Sequence, residues 1–478
     1  MARIIGTPEN DPLLPGDDPL LGTASNDFIS GLGGNDILIG LAGNDTLVGG
    51  PGRDTMEGGL GNDRYVVDAD DRAVDEFAIK ENPDEGFDVV ASHVDWRLGD
   101  NFERLVLIGS AIKGIGNAGD NQLIGNAEDN TLQGLAGTDT FKGGGGNDRL
   151  EGGGGDDWLD GGIGDDILLG GPGNDLYFVD SLGDTIVEPF NRGTDLVFAS
   201  VNGYRLSAYV ENLFLGSGVI EGTGNDGNNY IQGNPLDNNL TGGDGNDTLD
   251  GRAGNDMLIG GDGNDTYLIE SQGDRIMELP DGGIDKVLSS VTTYTLQDAN
   301  VEILELLEGT GPNSLTGNDE NNTLIGNTED NTLNGGDGSD ILNGGDGSDI
   351  LNGGDDSDTL NGGNGDDFLV GDLGSAGGID IMRGGEGADT FVLGQGGTNF
   401  YNDGNPSVFG NTEYARIEDF NFVEGDRIQL TNDLGDYFFQ QSGNVTLIRL
   451  ADAPLASSEL LALVVNANAD DVENAAFI

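Results

Sequence analysis

The chain has 478 residues and a formal net charge of −68, with 87 acidic and only 19 basic side chains. That balance leaves no Lys/Arg surface for phosphate, so nucleic acid and anionic membranes are not expected partners, and cations are. There is no cysteine to form a disulfide, and no apolar run reaches the length of a membrane span.

Residues 1–21 read as an N-terminal extension. Its start, Met1-Ala2-Arg3-Ile4-Ile5-Gly6-Thr7-Pro8, lacks the apolar core of a secretory signal peptide, so an export signal is expected elsewhere. From Gly22 to Val66 a nonapeptide recurs, Gly-Gly-x-Gly-x-Asp-x-U-x, in which U is a large apolar residue. Its sixth positions are Asp27, Asp36, Asp45, Asp54 and Asp63. After a linker over 67–115, a second block (116–178) carries Asp139, Asp148, Asp157, Asp166 and Asp175. A linker over 179–223 leads to a third block (224–268) with Asp247, Asp256 and Asp265. A linker over 269–316 leads to a fourth (317–392) with Asp340, Asp349, Asp358, Asp367, Asp380 and Asp389, interrupted at Asp372-Leu373-Gly374-Ser375. Without this period, 87 glycines would suggest disorder; with it they are turn residues.

Blocks two, three and four open with two repeats that carry Asn in place of Asp: Asn121 and Asn130, Asn229 and Asn238, Asn322 and Asn331. Asn keeps the turn without the charge. Drift in a low-complexity array is the plainer reading. Recurrence at three block starts favours capping coils that bind metal weakly or not at all. The linkers repeat too, with Asp88, Asp195 and Asp285 followed by Glu103, Glu211 and Glu302. Alternation at Asp195-Leu196-Val197-Phe198-Ala199-Ser200-Val201 reads as strand. The linkers are therefore expected to continue a solenoid as metal-free β coils. Acidic pairs within them, such as Asp70/Asp71, read as solvated faces. His93, the one histidine, reads as a partly packed strand residue. Beyond Leu393, strands are expected over Ala415–Phe420 and Asp426–Leu430. A hairpin is expected from Tyr437 to Leu450 turning at Ser442-Gly443-Asn444, and a short helix over Ser458–Val465 with Ser458 as its cap. Residues 393–478 are the candidate cap that an open solenoid end needs.

Glycine at positions one, two and four permits φ > 0 and exposes backbone carbonyls. Position six adds a carboxylate, and positions seven to nine form a strand with U inward. If two repeats make one coil, residues eighteen apart stack: Asp27 on Asp45, Asp36 on Asp54. Two stacked turns then offer only hard oxygens, which suit calcium with its six to eight ligands in flexible geometry, while magnesium demands a stricter octahedron and zinc would want His or Cys. Carboxylates about 5 Å apart repel by roughly 3 kcal/mol at an effective dielectric near 20. A few such pairs cancel the ~5–15 kcal/mol stability of a typical domain, so the blocks are expected to fold only on binding calcium.

On these repeats the chain resembles the RTX, hemolysin-type, repeat proteins that bacteria export by type I secretion, over roughly residues 20–392. The tail, with Ala415–Phe420 and Asp426–Leu430, resembles the post-repeat region of cyanobacterial members more loosely. Glu473-Asn474-Ala475-Ala476-Phe477-Ile478 resembles an acidic-then-apolar type I secretion signal. The resemblance implies an all-β fold of calcium-bound parallel β-roll blocks joined by β linkers, with a C-terminal mixed β cap. It implies multiple Ca2+ ions held by the nineteen aspartates named above, export unfolded by type I secretion machinery, and an extracellular or cell-surface location. Ser25, Glu128, Leu236, Glu320, Glu329 and Asp356 depart from the pattern by replacing the position-four glycine.

No catalytic constellation is visible. One histidine excludes His-Glu-x-x-His, and no Gly-x-Ser-x-Gly elbow occurs. Asp156/Asp157 could imitate a glycosidase pair, but they sit in a repeat turn. The expectation is a non-catalytic structural, cell-surface or adhesive protein, with a cell-surface polysaccharide or surface layer as candidate partner. The alternative is a polysaccharide-acting epimerase, lyase or hydrolase using a solenoid groove. Ice-binding RTX arrays carry rows of Thr at position three. Here that position is mostly Ala, Asp, Gly or Pro, with Thr328 alone.

Overall fold

The computed structural model describes residues 3–6, 19–71, 79–190, 192–280, 282–297, 300–311, 313–371, 378–395, 398–399, 401, 414–431, 434–451 and 460–477. They form two compact units, Met1–Gln232 and Gly233–Ile478. Ser458 and Asp372–Ser375 lie outside the described residues.

Alternation at positions seven to nine makes each repeat a short strand with one side chain turned inward. In the first block those side chains are Ile29, Leu38, Leu47, Met56 and Tyr65, all at 0% exposure. Successive strands point to alternate walls of the coil, so a strand pairs with the one two repeats on. Phe28–Ser30 lies parallel to Thr46–Val48 with Phe28 opposite Thr46, and Ile37–Ala42 lies parallel to Thr55–Leu60 with Ile37 opposite Thr55. The eighteen-residue coil expected from the sequence is the observed register.

The linkers do not break this stacking. Within 1–232, Arg64–Val67 pairs in parallel with Val89–Ser92, that strand with Arg104–Leu107, and that one with Gln122–Ile124. Leu176–Val179, Leu196–Ala199 and Asn212–Leu215 repeat the arrangement. Within 233–478, Thr266–Ile269, Lys286–Ser289 and Ile303–Leu306 do so again. His93 is not in a strand. It is exposed in the bend that follows Val89–Ser92.

The end of the second unit is mixed. Tyr437–Ser442 and Val445–Leu450 form the expected antiparallel hairpin, with Gly443 at φ +67° in its turn. Leu460–Val465 is a strand rather than the expected helix. It runs antiparallel to Val445–Leu450 and parallel to Tyr414–Ile417. Leu460, Leu461, Ala462 and Val464 are all buried. A run that is apolar on both faces suits a covered strand better than an amphipathic helix. The helix lies later, at Ala469–Ala475, capped by Asn468, whose side chain accepts the Asp471 N–H at 3.0 Å. No helix among the described residues is long and apolar enough to cross a membrane.

Candidate metal centres

Side-chain ladders fix the turns. The position-six carboxylate uses Oδ1 to accept the backbone N–H of position six one coil earlier. Asp27 donates to Asp45 (2.6 Å), Asp45 to Asp63 (2.6 Å), and Asp36 to Asp54 (2.8 Å). Asp139, Asp157 and Asp175 form the same series, as do Asp148 and Asp166. Asp247 to Asp265, Asp340 to Asp358, Asp349 to Asp367, Asp358 to Asp380 and Asp367 to Asp389 complete it. Position five runs the opposite way, its side chain accepting the N–H of the next coil: Asn44 to Asn26 at 3.0 Å and Asn174 to Asp156 at 2.8 Å. Asp156 and Asp157 thus hold two separate ladders and do not act as a pair.

The second oxygen of these carboxylates is the chemically unusual one. All nineteen aspartates are 3% exposed or less. The buried Oδ2 of Asp45, Asp54, Asp63, Asp139, Asp148, Asp157, Asp166, Asp175, Asp256, Asp265, Asp340, Asp349, Asp358, Asp367 and Asp389 has no hydrogen-bond partner. Burial raises the pKa of Asp54, Asp63, Asp139, Asp166, Asp175, Asp256 and Asp367 to about 7. Hydrogen bonding from the backbone pulls each down, and neighbouring carboxylates push it further up. Burial takes Asp358 to about 8. Two aspartates are placed differently. Asp27 Oδ2 accepts both the N–H and the hydroxyl of Thr23, each at 2.7 Å, and Asp380 Oδ2 accepts the Tyr401 hydroxyl at 2.5 Å.

The glycines make room for this oxygen. A Cβ on Gly40 would collide with Asp45 Oδ2 and with the carbonyl oxygen of Gly58 one coil on; Gly143 stands between Asp148 Oδ2 and the Gly161 carbonyl in the same way. Position one is therefore glycine for close approach rather than for φ > 0, which the structure keeps for positions two and four, as at Gly59 (φ +93°) and Gly61 (φ +133°). Asp356 is the only position-four substitution with φ > 0 among the six, at +75°.

The Asn coils close the same turn without spare oxygens. Asn121 Oδ1 accepts the Asn117 N–H at 2.7 Å, and Asn121 Nδ2 donates to the Phe102 carbonyl at 3.1 Å. Asn117, at position two, donates to the Gly99 and Phe102 carbonyls, both at 2.8 Å, and accepts the Gly119 N–H. Asn126 and Asn130 do the same against the Ala111 carbonyl. An amide stands where an Asp coil leaves bare oxygens. The position-two asparagine also accepts the position-four N–H of Glu128, Leu236, Glu320 and Glu329, which explains why glycine is dispensable there.

A family model described as the RTX calcium-binding nonapeptide repeat (4 copies) matches residues 14–47, 30–65, 115–150, 143–177, 232–267, 316–351, 343–375 and 376–397. These blocks are RTX calcium-binding repeats. A search of the curated proteins found no match. The RTX turns fit the ion their family binds: the orphaned Oδ2 atoms and the facing glycine carbonyls are hard oxygen donors, which calcium takes in numbers of six to eight. Bound there, the cation would supply positive charge to balance these carboxylates.

The sequence reading did not place several further acids on these ladders. Asp71, Asp184, Asp274 and Asp426 end ladders by accepting the N–H of Asp54, Asp166, Asp256 and Asp389. Asp71 is 4% exposed, so the solvated-face reading of Asp70/Asp71 fails for it. Asp88, Asp195 and Asp285 continue the other ladders, and Glu103, Glu211 and Glu302 close them on the N–H groups of those three. For all but Asp426, which lies beyond the linkers, the available signal was their recurrence at matching places in the three linkers.

Proposed function

We propose that this chain is a secreted, non-catalytic RTX protein that folds in extracellular calcium and serves a structural, cell-surface or adhesive role. The observation that carries this reading is the run of buried carboxylate oxygens without donors, repeated through four blocks. A chain so built is kept unfolded where calcium is scarce and folds where it is plentiful, which suits passage through type I secretion machinery. The test is far-UV circular dichroism of chelated protein titrated with calcium, with magnesium as control. A coil-to-β transition with calcium alone is expected. A β spectrum already present in chelator overturns the reading.

Binding of a cell-surface polysaccharide is a second reading, favoured by an aromatic row within 1–232. Phe178, Phe198 and Phe214 stand in register on adjacent strands. Trp158 stacks on Phe178 with ring centroids 5.0 Å apart, and Phe178 lies 5.8 Å from Phe198. Trp158 is 45% exposed and Phe198 37%, so flat apolar faces are offered to solvent, as a sugar-binding platform needs. Retardation in polysaccharide-containing gels that Trp158→Ala with Phe198→Ala abolishes is expected; unchanged migration of the two proteins removes this reading. The enzymatic version gains less. A cleft of about 460 Å³ holds one carboxylate, Asp274, among its lining residues, and that carboxylate is engaged by the N–H groups of Asp256 and Ser271.

A further inference from the structure

Within a block, the oxygen-lined space at a position-one glycine has two walls, the Asp carboxylate of its own repeat and the glycine carbonyl of the next coil. At Gly58, in the last repeat of the first block, no repeat follows to supply that carbonyl. A Cβ there would instead meet Asp63 Oδ2 and the Tyr65 hydroxyl. Tyr65 hydrogen-bonds to Glu81 Oε1, which comes from the linker. This leaves Glu81 Oε2 buried without a hydrogen-bond partner, on a side chain only 6% exposed. Asp88, also from the linker, accepts the Asp63 N–H at 2.7 Å. One oxygen from each of Asp63, Glu81 and Asp88 lies within 4.8 Å of the others. The third block ends alike: Asp265, Glu278 and Asp285 bring oxygens within 4.8 Å, and a Cβ on Gly260 would meet Tyr267 Oη, Asp265 Oδ2 and Glu278 Oε1. Among the described residues, no Lys or Arg forms an ion pair with Asp63, Glu81, Asp88 or Asp265.

We propose that Asp63, Glu81 and Asp88, and likewise Asp265, Glu278 and Asp285, each form a block-closing calcium site, in which a linker glutamate replaces the glycine carbonyl of the absent next repeat. This rests on the calcium-binding reading above. It departs from the expectation of metal-free linkers, because two of the three carboxylates come from the linker. Three crowded, buried carboxylates are tolerable only when their charge is neutralised. In the first block Tyr65 fixes one glutamate oxygen and leaves the other buried without a donor. Glu188, which hydrogen-bonds to Tyr177, shows that the second block has the same fixing contact.

The test is a count of calcium ions bound per chain by equilibrium dialysis, comparing the full chain with Glu81→Gln/Glu278→Gln. The variant is expected to bind one ion fewer for each substitution, with an unchanged calcium-saturated β spectrum. An equal count overturns the proposal. If the glutamine variant does not fold, Glu81→Asp/Glu278→Asp keeps both charges while withdrawing each carboxylate. A higher calcium midpoint for folding is then expected, and an unchanged midpoint overturns the proposal. A full chain that binds no calcium would instead sink the reading on which the proposal stands.

Discussion

At a single turn, one atom decides whether a coil needs metal. Asp148 offers an oxygen with no donor, whereas Asn121 offers an oxygen that takes the Asn117 N–H and an amide that feeds the Phe102 carbonyl. Exchanging them should therefore act in opposite senses. Asn121→Asp removes the amide donor and adds a buried charge, costing about 1–3 kcal/mol. Calcium should not rescue it, since Asn117 Nδ2 still covers the Phe102 carbonyl. Asp148→Asn removes a charge that repels its neighbours in the metal-free chain, so its penalty should show only in calcium. Thermal melts of both variants, in chelator and in calcium, check this. If calcium stabilises Asn121→Asp more than the wild type, the account of the Asn coils is wrong. The asparagine at position six was legible in the sequence. Its partner at position two was not, because its role is a contact with a carbonyl one coil away.

At the scale of a coil, glycine acts mostly through space. Gly40 stands where Asp45 Oδ2 and the Gly58 carbonyl converge, while a Cβ on Gly154, at position three, would meet nothing within 4 Å. Gly40→Ala should cost about 1–3 kcal/mol, the usual range for overpacking, and should raise the calcium midpoint for folding. Gly154→Ala should stay within about 0.5 kcal/mol. Equal midpoints for the two would mean that the space beside Gly40 holds no ion. The repeat period alone was enough to read the coil, its inward side chains from Ile29 to Tyr65 and the stacking of Asp36 on Asp54, because all three follow from one number, eighteen. Irregular offsets hid the rest. The Asp63 N–H reaches Asp88 across 25 residues, and the Asp88 N–H reaches Glu103 across 15, so no fixed period points to these acids. The misplaced helix over Ser458–Val465 has a different cause. A serine cap signal outweighed an apolar run that pairs at its edges with Val445–Leu450 and Tyr414–Ile417 and buries both Leu461 and Ala462.

For the whole molecule, proton and calcium compete for the same oxygens. Burial holds Asp63, Asp139, Asp166, Asp175 and Asp367 near 7 in the metal-free fold, against about 3.9 for an aspartate in an unfolded chain. Between those values the folded chain binds more protons than the unfolded one, so metal-free stability must fall as pH rises. The contribution is complete below about pH 4 and gone once pH has risen through about 7. In excess chelator, β content followed by circular dichroism should therefore be greater at pH 5 than at pH 8. Calcium reverses the trend, because it binds the deprotonated carboxylates. The calcium midpoint should rise as pH falls from 8 to 5, while the fully loaded protein keeps its β spectrum at pH 8. A net charge of −68 works in the same direction, since the self-repulsion of the metal-free chain grows as its carboxylates ionise. A chelated protein that gained β structure on going from pH 5 to pH 8 would show that these carboxylates are satisfied from within the chain, and the calcium requirement would then have to lie elsewhere.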